Sequence, residues 1–226
     1  VKYEMERFGK KLAALPTNSQ YGKDWSETLL PYWKEQGGEV VYESSINFSK
    51  DTDFFTIITN ALKENPDVLF IGGASEPTAK VAKQARELGF KGGFLVMDQA
   101  KFNEMKKITG SYDILEGAVG VLPLINSKEP AIPAFVEKYN KKYKEDPGSE
   151  VGINYLSLHV FVEAMKAAGS VDDAKKIHAH MQDGLDNLSD EKKTYDIPSI
   201  SKNGAFNYKL RFGIVEDEEV KEVDVK

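Results

Sequence analysis

The chain reads as an α/β protein: a parallel β-sheet flanked by helices, followed by a helical segment and a pair of closing strands. Three observations predict this. Apolar runs alternate with amphipathic stretches from 11 to 124, no hairpin signal falls between the runs, and DVLFIGG (67–73) is continuously apolar. A run of that kind suits a strand buried on both faces. Strands without hairpins between them need crossover helices, which force parallel neighbours and cover both sheet faces.

The opening VKYEMERFGKK has no signal-peptide pattern and reads as the tail of a helix already under way. KLAALP (11–16) is the first strand, and a helical pattern over 21–36 ends at Gly37-Gly38. EVVYES (39–44) is the second strand. Over 51–65, Phe54, Ile57, Ile58, Ala61 and Leu62 form a helical stripe, with Asp51 or Asp53 expected as its N-cap. Pro66 stops it, and DVLFIGG is the third strand. A helix over 76–88 closes at Gly89, GFLVMD (93–98) is the fourth strand, a short helix spans 102–108, and LEGAVGVLPL (115–124) supplies the fifth. Three helices are expected over 130–144, 151–168 and 171–182. The tail, with a turn at Asn203-Gly204 and two alternating runs, reads as a terminal hairpin or pair of strands.

Composition narrows the function. The 226 residues carry 30 basic and 36 acidic side chains, a net charge of −6 with no basic block, which argues against nucleic acid or an anionic membrane surface as partner. With no cysteine, disulfides, thiolate nucleophiles and cysteine-zinc sites are excluded. His178 and His180 lie two apart on a helix and face different sides, His159 sits in an apolar helix, and no GxSxG elbow or phosphate-binding glycine motif occurs. No catalytic residue, metal site or cofactor is therefore expected.

Ligands of parallel α/β sheets bind outside the carboxyl ends of the strands. That rule selects TNSQYGKDW (17–25), GGASEPT (72–78) and MDQ (97–99). Asp98 at a strand end can pair with a ligand cation, commonly an ammonium; it can equally cap the helix beginning near Lys101. Tyr21 offers a ring face and a hydroxyl, although a core tyrosine with a wet tip has the same pattern.

The order of several segments resembles the periplasmic leucine/isoleucine/valine-binding proteins, type I solute-binding proteins. They are NSQYGKDW, GGEVVYES, DTDFF, NPDVLFIGGASEPTAKVAKQARELGFKGGFLVMD, EDPGSEVGINYLSLHVFVEAMKAAG and the IPSISKNGAFNYKLRFGIVE tail. The resemblance implies a fold of two α/β lobes closing on a ligand, and a function as the extracytoplasmic solute-binding component of an ABC importer. Its partners would be an amino acid or related amine-bearing ligand and the membrane permease. Residues 1–124 would be the second lobe, 125–204 a helical segment belonging to the first lobe, and 205–226 strands returning to the second. The first lobe's main sheet would lie outside the chain, so weak binding or none by this chain alone is expected. A periplasmic or cell-surface lipoprotein location is implied, and a ligand-sensing module of a receptor or regulator is the alternative function.

Carried over by position, Tyr21 is the ligand-contacting tyrosine and Asp98 the partner of the ligand's ammonium, one methylene shorter than the glutamate of the leucine binders. Ala74 and Val151 fall at or near aromatic positions of those binders, so the resemblance implies a pocket into which a side chain larger than leucine could fit. The helix over 151–168 carries Tyr155, Leu158, Phe161, Val162 and Met165, with Leu156 and Val160 widening its apolar face. Without the first lobe's sheet, that face is expected to drive self-association, to exchange helices between copies, or to fold back on its own lobe.

Overall fold

The computed structural model describes residues 1–223. The chain forms two compact units: Val1–Leu122 together with the chain from Arg211 onward, and Pro123–Leu210.

In unit one the order is α1 (Lys2–Arg7), β1 (Lys11–Pro16), α2 (Gln20–Glu35), β2 (Glu39–Glu43), α3 (Phe55–Leu62), β3 (Val68–Gly72), α4 (Ser75–Glu87), β4 (Gly93–Val96), α5 (Phe102–Thr109) and β5 (Ala118–Val121). Unit two contains α6 (Ile132–Tyr143), α7 (Ser149–Ala168), α8 (Ala174–Ala179), α9 (Met181–Asp186) and the two-residue strands β6 (Ser199–Ile200) and β7 (Phe206–Asn207). β8 (Phe212–Glu216) and β9 (Glu219–Val223) then complete unit one.

The main sheet has the order β2-β1-β3-β4-β5-β8-β9. The five strands up to Val121 pair in parallel, and β8 and β9 add to the β5 edge antiparallel. Strand alternation explains why both faces are covered. Ala13, Leu15, Leu69, Ile71, Phe94 and Val96 join one core with Ile58 and Ala61 of α3, Ala82 and Ala85 of α4, and Phe102 and Met105 of α5. Their strand neighbours Leu12, Ala14, Val68, Phe70, Leu95 and Met97 join the other, with Leu30 and Trp33 of α2. Every residue of β3 is buried, as a central parallel strand requires.

Several local expectations are corrected. The helix over 51–65 starts only at Phe55, and neither acid is its N-cap; Phe54 holds that position. Asp53 Oδ1 accepts from Phe55 N at 2.9 Å, and Asp51 Oδ2 accepts from Asn47 N at 3.2 Å, closing the preceding turn instead. The single helix over 171–182 is two, α8 and α9, meeting at His180. The tail forms two hairpins. Asn203-Gly204 turns β6 into β7 within unit two, whereas β8 turns into β9 at Asp217 and Glu218, whose φ values are +55° and +63°.

In unit two, Leu156 and Val160 of α7 pack with Leu185, Leu188 and Ile197. Gly184 lets α9 approach closely, since a Cβ there would lie 2.4 Å from the Val160 carbonyl oxygen. Leu158, Phe161 and Val162 of α7 are 63%, 42% and 37% exposed, so the stripe that faces solvent is distinct from the one that packs.

Candidate functional site

The carboxyl ends of β1, β3 and β4 lie side by side. Thr17 N donates to Gly72 O at 2.8 Å, and Met97 N donates to Ile71 O at 3.0 Å. Three loop segments therefore emerge at one edge: Thr17 to Ser19 before α2, Gly73 and Ala74 before α4, and Asp98 and Gln99 before α5.

α2 begins at this edge because Ser19 is its N-cap, with Oγ accepting from Gly22 N at 3.4 Å. A Cβ on Gly22 would lie 1.8 Å from the Thr17 carbonyl oxygen, so only glycine lets the helix start this close to β1. The first turns of α2 present Tyr21 and Trp25, four residues apart and on one face. Both pack against the core that contains Phe70, and the Trp25 and Phe70 ring centroids are 6.1 Å apart.

These two rings end at Asp98. The Tyr21 hydroxyl donates to Asp98 Oδ1, and Trp25 Nε1 donates to the same oxygen at 3.0 Å. Gln99 N in turn donates to the Tyr21 hydroxyl at 3.2 Å. Burial, then the bond to the Asp98 carboxylate, hold the Tyr21 hydroxyl above the ordinary phenol range, so it remains a donor at neutral pH. The N-cap of α5 is Lys101, with no side-chain cap, so the Asp98 carboxylate does not close that helix. The Lys101 ammonium instead donates to the Asp98 main-chain oxygen. Both side-chain donors to Asp98 go to Oδ1, and Oδ2 accepts no hydrogen bond from the described residues.

A second lock lies beside it. Ser75 Oγ bonds Glu104 Oε2 at 2.8 Å and Gln99 O at 3.3 Å, and accepts from Lys101 N at 3.0 Å. Ser75 thereby ties the 98–101 loop to the start of α4.

Of the residues read from sequence, Tyr21 and Asp98 are in direct contact and Ala74 lies exposed at the same edge as the N-cap of α4. Val151 is in unit two, half-buried in the first turn of α7. Sequence reasoning missed Trp25, although its spacing from Tyr21 places it on the same helical face. Elsewhere, His180 Nδ1 is 2.6 Å from Asp183 Oδ2, and among the described residues no group of three or more histidine or acidic side chains could hold a metal ion. Nor is any described helix long and apolar enough to cross a membrane. The arrangement offers one half-buried carboxylate, fixed by neutral donors, at an edge where a cation could approach.

Comparison with known proteins bears on the family and the fold. The family model described as "Periplasmic binding protein" matches residues 1–211. The Leucine-, isoleucine-, valine-, threonine-, and alanine-binding protein of Pseudomonas aeruginosa is 24% identical over 179 residues, covering 79% of this chain and 47% of that protein. The Leu/Ile/Val-binding protein of Escherichia coli is 25% identical over 158 residues, covering 70% and 42%. The chain thus spans about half the length of these relatives, or less, and they are named as binding proteins rather than enzymes. The leucine-binding protein LivK of Thermotoga maritima superposes with a TM-score of 0.77 at 26% identity, covering 95% of this chain and 60% of that one. The branched-chain amino acid substrate-binding protein LivJ of Streptococcus pneumoniae, solved in complex with isoleucine, shares the fold with a TM-score of 0.76 at 20% identity, covering 98% and 62%. By the extent of the family match and the shared, mostly parallel sheet, the chain belongs to the periplasmic binding protein family, with the type I fold.

Proposed function

We propose that the chain is part of the extracytoplasmic solute-binding component of an ABC importer, and that its ligand is an amino acid. In this reading unit one is the second lobe and Pro123–Leu210 belongs to the first. The observation that carries the reading is the Asp98 carboxylate, held through Oδ1 by Tyr21 and Trp25 and left with Oδ2 open at the strand-end edge. An ammonium is the natural partner for such an oxygen, because a charge-assisted hydrogen bond is about twice as strong as a neutral one. The names of the relatives support an amino acid as the ligand class. A small residue, Ala74, exposed at the same edge, leaves room for a ligand side chain of leucine's size or larger. The component works in the periplasm or at the cell surface and delivers its ligand to a membrane permease.

The three exposed apolar side chains on α7 support a second proposal, that isolated copies of this chain associate through Leu158, Phe161 and Val162. A thermal-shift screen of free amino acids on the native full-length gene product tests the main reading. A ligand at a hundred times its Kd adds about 2.7 kcal/mol of stability, a shift of several degrees. No shift with any amino acid would overturn it.

A further inference from the structure

We infer that Trp25 is a positioning residue for the ligand's cation, acting through Asp98. This rests on the amino-acid reading above and adds to it a residue with a defined task. The indole N–H and the Tyr21 hydroxyl converge on one carboxylate oxygen, Oδ1. Two donors on one oxygen fix the carboxylate's rotation about its χ2 bond, which is otherwise broad for aspartate. The remaining oxygen, Oδ2, is then presented in one direction and accepts no hydrogen bond from the described residues. The indole can hold this position because its ring is seated in the core against Phe70, and because α2 is anchored at its start by Ser19 and Gly22.

The other polar groups nearby are occupied without competing for Oδ1. The Lys101 ammonium bonds the Asp98 main-chain oxygen, Glu104 bonds Ser75, and Asp24 accepts from Gln20 on the outer side of α2. Trp33, the chain's second tryptophan, donates Nε1–H to Lys10 O at 3.0 Å and takes no part. Tryptophan suits the task because its N–H is donor only and cannot itself accept from a ligand ammonium. The pair therefore favours ligands that bring a cation to Oδ2 over otherwise identical ligands that lack one.

Two measurements test this. In this chain, the indole N–H proton resonances of Trp25 and Trp33 are compared between the native sequence and Asp98→Ala. The Trp25 proton should move upfield on losing its acceptor while that of Trp33 stays in place; an unmoved Trp25 resonance would show that the hydrogen bond is not made. In the native full-length gene product, affinity is measured for L-leucine and for 4-methylpentanoate, the same molecule without its ammonium. Trp25→Phe, which keeps the ring and removes the N–H, should weaken leucine by roughly three- to tenfold, less than the roughly ten- to hundredfold of a direct charge-assisted bond because Trp25 acts only through Asp98, and leave 4-methylpentanoate unchanged. Equal weakening of both probes, or of neither, overturns the positioning role. If Asp98→Asn leaves leucine affinity intact, the amino-acid reading fails instead, whatever Trp25→Phe does.

Discussion

Replacing Glu4 with glutamine should make unit one more stable at neutral pH, by an amount that grows with pH. Glu4 lies on α1 with no exposed surface, and neither carboxyl oxygen has a hydrogen-bond partner. The side chain sits against the start of β4, where a Cβ added to Gly93 would lie 1.7 Å from Oε2. Burial pushes its carboxyl up to about 9 from an ordinary value of 4.5, against the smaller opposing effects of the Val1 ammonium, Arg7 and Arg86. A carboxyl whose pKa is raised on folding contributes stability that is fully present below its unfolded value. That contribution is lost between about pH 4.5 and 9, at roughly 1.4 kcal/mol per pH unit. By pH 7 the native sequence should have lost about 3 kcal/mol of it. Glutamine has no proton to lose, so Glu4→Gln should match the native chain near pH 4.5 and exceed it by about 3 kcal/mol at pH 7. Urea unfolding followed by tryptophan fluorescence suits the purpose, since Trp25 and Trp33 both report on unit one. Stability curves that run parallel across this pH range would show that burial does not hold the Glu4 carboxyl protonated.

Two further expectations rest on single side chains. Arg86 donates to the carbonyl oxygens of Phe90, Gly92, Ile114 and Glu116 at 2.9–3.1 Å, so Arg86→Met should leave several acceptors unpaired and cost about 3 kcal/mol or more in urea unfolding. An equal loss in Arg86→Lys would confirm that the guanidinium's fork, not its charge, is what the loops require. Leu158→Lys, at a position 63% exposed, should reduce self-association in light scattering while changing stability by no more than about 0.5 kcal/mol. Unchanged association would remove α7 as the contact surface.

The parallel sheet was legible because its strands are short, continuous apolar runs; Val68 to Gly72 could hardly be buried in any other way. The edge that carries Tyr21, Ala74 and Asp98 followed from the strand-end rule once the strands were placed. The features that escaped the sequence depended on partners distant along the chain or on unusual turn residues. Asp51 and Asp53 look like helix caps by composition, but Asp51 accepts from Asn47 N in the preceding turn, and Asp53 reaches only the first N–H of α3, from one residue before the N-cap Phe54. The β8–β9 turn uses Asp217 and Glu218 at positive φ, where glycine or asparagine is the usual signal, so the Asn203-Gly204 pair gave the stronger turn pattern. Trp25 read as one more apolar residue of an amphipathic helix. Its role emerged only when β4 brought Asp98, 73 residues later, within 3.0 Å of the indole nitrogen.

In the proposed function the Asp98 carboxylate receives an amino acid's ammonium. Isothermal titration of the native full-length gene product and its Asp98→Asn variant, using the amino acid identified by the thermal screen, tests it most directly. Loss of a charge-assisted bond of about 1.5–3 kcal/mol should raise Kd roughly ten- to hundredfold, with unfolding stability nearly unchanged. A variant that binds with the native dissociation constant would show that Asp98 does not hold the ligand's ammonium.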